Sequence, residues 1–106
     1  MPANLTILYP VESTIDLGYY IDTHIPWAVE KLKELGIREW KMIKYQHTAM
    51  GTPLPYQVGA QMTWDSLETL DTVFASKDWK EIIDDLPVFC SGQMPTVLVG
   101  EVLISS

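Results

Sequence analysis

The sequence predicts an α+β fold, a four-stranded antiparallel sheet with helices on one face, in the order β-α-β-β-α-α-β. Three patterns carry that expectation. Tyr56 to Trp64 alternates, with Val58, Ala60, Met62 and Trp64 on one face and Gln57, Gly59, Gln61 and Thr63 on the other. Leu17, Ile21, Ile25, Ala28, Leu32 and Leu35 recur at spacings of four and three, as on one stripe of a helix. Late in the chain Leu67, Leu70, Val73 and Phe74, then Trp79, Ile82, Ile83 and Leu86, repeat the helical period.

Asn4 to Pro10 is β-rich and ends at a proline, which reads as the first strand. Ser13, with Asp16 three residues later, resembles an N-cap for the helix that Gly36 closes. Pro26 lies inside that helix, lacks an N–H and disfavours helix at Ile25, so a kink or break is expected near His24. Ile37 to His47 reads as the second strand, and Thr48 to Pro55, with Gly51, Pro53 and Pro55, as a loop. Asp65 with Glu68 is a candidate capping box for the next helix. Ser76 should cap a further helix running through Leu86 to a stop at Pro87. Met94 to Ile104 is the last strand, apolar at nearly every position.

The length of 106 residues fits a single domain, 1–106, without repeats or a low-complexity linker. Seven basic against fourteen acidic residues, a net charge of −7, argue against nucleic acid and anionic membrane surfaces. The lysines from Lys31 to Lys44 are interleaved with Glu34 and Glu39, so no basic stripe forms. Cys90 is alone and reads as a packing residue. No apolar stretch approaches the ~18 residues that span a bilayer, and no signal-peptide pattern opens the chain, so a cytoplasmic protein is expected. The last strand is apolar on both faces while helices cover only one. A second copy of the same sheet is the simplest cover, so a homodimer is expected.

The segment Tyr19-Tyr20-Ile21-Asp22-Thr23-His24-Ile25-Pro26-Trp27 resembles the EthD family of the dimeric α+β barrel superfamily. Leu8-Tyr9-Pro10 is similar to the end of that family's first strand, and Pro53-Leu54-Pro55-Tyr56 to its proline-tyrosine loop. Asp65-Ser66-Leu67-Glu68 resembles the opening of its second helix, so the likeness spans essentially the whole chain. The resemblance implies a ferredoxin-like monomer and a barrel-shaped dimer. It also implies cofactor-free chemistry on a small compound, since similar barrels act as isomerases, cyclases, dehydratases or decarboxylases.

His24 is the first candidate for such chemistry, because imidazole transfers protons near neutral pH. Tyr20, one helical turn earlier, is placed to orient it; alternatively, His24 satisfies carbonyls freed by the proline. His47 enters the Gly/Pro loop, either solvated or at the mouth of a pocket. Tyr45 and Tyr9, near strand ends, either orient a polar group of a ligand or fill the core. Gln61 points from the polar face of its strand, toward a ligand or an internal network. Trp27 follows the proline and either lines a pocket for a flat compound or packs. Two histidines 23 residues apart with no third ligand are no metal signature, and nothing beyond a lone histidine supports haem. No phosphate loop, nucleophile elbow or dinucleotide fingerprint is present. The leading expectation is a cofactor-independent lyase or isomerase for an aromatic or polyketide-like metabolite. In it His24 and Tyr20 are catalytic, while His47, Tyr45, Gln61, Tyr9 and Trp27 bind substrate. The alternative is a non-catalytic carrier or accessory protein for a hydrophobic metabolite.

Overall fold

Strand β1 (Ala3–Pro10) buries Ala3, Leu5, Ile7 and Tyr9 on one face and half-buries Asn4, Thr6 and Leu8 on the other. This alternation sets the architecture of the computed structural model, which describes residues 1–105. After β1 come a two-residue strand β2 (Thr14–Ile15), α1 (Leu17–Tyr19), a π-helical segment (Tyr20–His24) and α2 (Ile25–Lys33). Strands β3 (Glu39–Lys44) and β4 (Tyr56–Trp64) follow, then α3 (Leu67–Phe74), α4 (Lys77–Asp84) and α5 (Leu86–Phe89). A short β5 (Cys90–Ser91) and the final β6 (Thr96–Glu101) complete the chain.

The main sheet has the order β3-β4-β1-β6, with every neighbouring pair antiparallel, which is the ferredoxin-like arrangement. Its register places Ile7 opposite Ala60 and Val97, and Thr6 opposite Gln61 and Leu98. Val58, Ala60, Met62 and Trp64 of β4 therefore join the odd residues of β1 beneath the helices. There they meet Ile25, Ala28, Val29 and Leu32 of α2, Leu70 and Val73 of α3, Ile82 of α4, and Leu86 and Phe89 of α5. The opposite face carries Asn4, Thr6, Leu8, Lys41, Gln61, Thr63 and Leu98, with no layer of the described residues over it. The molecule is accordingly a slab of 36 × 33 × 20 Å, and its radius of gyration of 14.1 Å exceeds the ~13 Å of a compact domain this long. All of β6 is exposed, including Val97, Leu98 and Val99. One chain thus leaves the last strand uncovered, as its two apolar faces imply.

Several local expectations are refined or corrected. The irregularity expected near His24 is present, as a π-helical segment and not a break. The turn before Pro26 widens, and the Ile25 N–H reaches back to the Tyr20 carbonyl. Widening removes the clash between the proline ring and the carbonyl four residues earlier, while Ile25 itself stays helical at φ −66°, ψ −48°. The extra residue in the turn also ends the single stripe: Ile21 swings out to 50 % exposure while Tyr20 and His24 turn inward. Asp16, not Ser13, caps α1 by accepting from the Tyr19 N–H; Ser13 is buried and its hydroxyl donates to the Gln93 carbonyl at 2.5 Å. Ser66, not Asp65, caps α3, and the Asp65 carboxylate pairs with Arg38 at 2.8 Å. Ser76 caps α4 as expected, but that helix ends at Asp84, and Pro87 lies in the first turn of α5 rather than stopping a longer helix. Proline is tolerated there because the first-turn N–H has no helical partner in any case. The two outer strands are shorter than their apolar runs, Glu39–Lys44 within 37–47 and Thr96–Glu101 within 94–104.

Candidate functional site

The widened turn places His24 in the helical layer, 4 % exposed, inside a cage of rings. Phe89 lies 4.4 Å from the imidazole by ring centres, Tyr20 stacks on it at 5.9 Å and 15°, and Trp27 flanks it at 5.9 Å. Tyr9, reaching up from β1, meets Tyr20 edge-on at 5.4 Å. The His24 Nδ1 lies 2.8 Å from Asp85 Oδ2, and the Tyr19 hydroxyl donates to both oxygens of the same carboxylate at 3.2 Å. A carboxylate can only accept, so Nδ1 carries the imidazole proton and Nε2 presents a lone pair. Nε2 has no hydrogen-bond partner among the described residues.

The electrostatics suit a neutral imidazole. Burial pushes the His24 pKa below its ordinary value, and the hydrogen bond and charge of Asp85 pull it only part of the way back. Burial also drives the phenols of Tyr9 and Tyr20 well above their usual range, so both remain protonated donors. Tyr19 is raised too, by desolvation and then by the Asp85 carboxylate. The Cys90 thiol is buried and pushed up, as suits a packing residue.

Of the seven residues singled out in the sequence, four meet here: His24, Tyr20, Tyr9 and Trp27. Tyr20, however, does not orient His24 by a hydrogen bond; its hydroxyl points to Met42 Sδ at 3.1 Å, and the two rings only stack. Nor does His24 satisfy freed backbone carbonyls. Trp27 is 38 % exposed, with the Lys31 ammonium 5.2 Å from its ring centre. The other three lie elsewhere. Tyr45 and His47 share a hollow of about 310 Å³ with Leu8, Leu54, Pro55 and Tyr56, on the uncovered side of the sheet. There the Tyr45 ring lies over Gly59, where a Cβ would fall 2.6 Å from its hydroxyl. The His47 imidazole is exposed, and its one hydrogen bond among the described residues is to the Thr48 carbonyl, at 3.0 Å. Gln61 lines a second, more polar hollow with Asn4, Arg38, Lys41 and Thr63.

The residues that sequence reasoning missed are Asp85 and Tyr19. Asp84 and Asp85 both end a helix with the wrong sign for its dipole and read as solvated. Asp84 is indeed exposed and pairs with Lys80 at 2.9 Å, but Asp85 turns inward to His24. An acid at a helix C-terminus, unfavourable by itself, was the available signal. Among the described residues no group of three or more His, Cys, Asp or Glu is placed to hold a metal.

No protein-family model matches the chain, and no curated protein matches it. Solved structures do. An EthD-like protein from Ralstonia eutropha JMP134 superposes with a TM-score of 0.82 at 20% identity, over 99% of this chain and 95% of that one. An EthD family protein from Bacillus halodurans C-125 gives 0.76 at 23%, over 97% and 100%. A hydroxynitrile lyase from Passiflora edulis gives 0.68 at 15%, over 99% and 95%. At these identities the likeness is one of fold, and it agrees with the resemblance carried by the Tyr-Tyr and His-x-Pro residues. The chain has the fold of these EthD-like proteins, ferredoxin-like in its sheet order.

Proposed function

We propose that the protein is a cofactor-independent enzyme for a small molecule, of lyase or isomerase type, in which His24 moves the proton. The observation that supports this is the Asp85–His24 contact of 2.8 Å, which fixes one tautomer and leaves Nε2 as the basic atom. Asp85 holds the ring and stabilises the imidazolium that forms when Nε2 takes a proton. Tyr19 holds Asp85 in turn, so the orienting role expected of Tyr20 passes to a carboxylate and a second phenol. The ring cage leaves the imidazole only 4 % exposed, which limits the water that reaches it. The lyase among the structures of this fold supports the reaction class.

A homodimer belongs to this reading, with the uncovered sheet face and β6 as the contact between copies. A carrier is the second reading, and it draws on the Tyr45–His47 hollow, which lies across the sheet from His24. Incubating the protein with a panel of aromatic hydroxynitriles and aromatic keto acids separates the two. Turnover by the wild type that falls about 10²–10⁴-fold in His24→Gln supports the enzyme. Binding without product, or turnover indifferent to His24→Gln, refutes it.

A further inference from the structure

We infer that a cleft between the π-helical segment and the β3 edge binds a single-ring or short-chain carboxylate, its oxygen accepting from the Tyr20 hydroxyl. This deepens the reading above by naming a substrate class for that site. The cleft has a volume of about 130 Å³ and is lined by Leu17, Tyr20, Ile21, Met42, Ile43, Lys44 and Val58. Its walls are apolar, and Tyr20 and Lys44 supply its only polar side chains. Tyr20 is 1 % exposed; the Tyr9 hydroxyl lies beside its oxygen as a donor, and the acceptor that its own proton meets is the thioether of Met42 at 3.1 Å. A thioether accepts weakly, so a buried donor is left under-satisfied where an oxygen acceptor would fit.

The sequence explains why the opening exists. The wide turn before Pro26 turns Ile21 outward and Tyr20 inward, so the helix wall parts from β3 at the level of Met42. Burial holds the Tyr20 phenol protonated, and it therefore donates at any ordinary pH. Lys44 stands at the rim without an ion-pair partner among the described residues. Phenol within, ammonium at the rim and alkyl walls between them match a carboxylate carried on a small apolar body. Behind the cleft the Tyr20 ring stacks on His24, which brings such a ligand to the edge of the proton-transfer cluster.

Benzoate, which is chemically inert to acid/base catalysis, is the probe, with benzyl alcohol as its uncharged counterpart. With methyl-labelled protein, benzoate is expected to shift the Met42, Ile43 and Ile21 methyl resonances and to leave Leu54, in the other hollow, unmoved. Tyr20→Phe keeps the ring and its packing, and should weaken benzoate about tenfold. Lys44→Gln, at an exposed position, should weaken benzoate a few-fold and leave benzyl alcohol unchanged. Shifts confined to Leu54, no shifts at all, or equal affinity in the wild type and Tyr20→Phe would overturn the assignment. The readout is binding alone, so a protein that binds benzoate in this cleft but turns over no substrate counts against His24 catalysis and not against the cleft.

Discussion

Replacing Asp85 by Asn tests whether the carboxylate organises the buried cluster. The change is isosteric and leaves two acceptor–donor contacts geometrically possible, so what it removes is charge. In the wild type that charge receives the His24 N–H at 2.8 Å and the Tyr19 hydroxyl at 3.2 Å, with the Asp85 side chain only 18% exposed. Hydrogen bonds to a charged group contribute about 1.5–3 kcal/mol each, and the amide retains part of both. A loss of about 1–3 kcal/mol at pH 8 follows, which for a domain of this size lowers Tm by roughly 5–15 °C. The second effect is on titration. His24 already binds its proton less readily than in the unfolded chain, so folding stability falls as pH drops through about 6.5, the ordinary histidine value. Without the carboxylate nothing offsets burial, the folded-state pKa falls further, and the acid loss extends over a wider range. The Tm gap between Asp85→Asn and wild type should therefore widen from pH 7 to pH 5. Thermal melts across that range, with NMR titration of the His24 ring in both proteins, make the comparison. An unchanged Tm, or a His24 pKa that rises in the variant, would refute the assignment of Asp85.

Other outcomes follow from single contacts. Sedimentation should give a mass near twice that of the chain, and Leu98→Arg, opposite Thr6 on the uncovered face, should give the monomer; a wild-type monomer would refute the face-to-face pairing. Gly59→Ala drives a methyl into Tyr45 and should cost about 1 kcal/mol, displacing the ring and reshaping the hollow it shares with His47, as side-chain NMR of Tyr45 would show. Ser76→Ala removes the acceptor for the Trp79 N–H, 3.1 Å away, and should lower stability by about 1 kcal/mol in denaturant unfolding without altering the His24 titration.

The sheet was legible because its physics is local in sequence. The period of β4 separates Val58, Ala60, Met62 and Trp64 from Gln57, Gln61 and Thr63, and that division survives folding intact. The caps were legible only to within a residue or a few, because several polar side chains compete for each role. Asp65 is drawn to Arg38, and Ser13 to a carbonyl 80 residues away, leaving Ser66 and Asp16 as the caps. The stripe through Ile21 failed because it assumes a constant period, and a π turn changes the period by inserting one residue. The pairing of His24 with Asp85 was invisible for a different reason. It joins residues 61 apart in the chain, on different helices, and no period connects them. Only the electrostatic misfit of an acid at a helix C-terminus marked one partner.

The small β2–β5 clasp bears on how firmly the cluster is held. It pairs Thr14 with Ser91 and Ile15 with Cys90, and beside it the Asp16 N–H bonds the Phe89 carbonyl at 2.8 Å. Those contacts span most of the chain, so their closure costs more entropy than that of the β3–β4 and β4–β1 pairings. The clasp is also short and sits at the margin of the core, which makes it a unit able to open while the main sheet persists. Opening would part Tyr19 from Asp85 and expose Phe89 without unfolding the strands. Substitutions that loosen the clasp should thus raise amide exchange around Asp16 and Cys90 first, at temperatures where the sheet still reads as native.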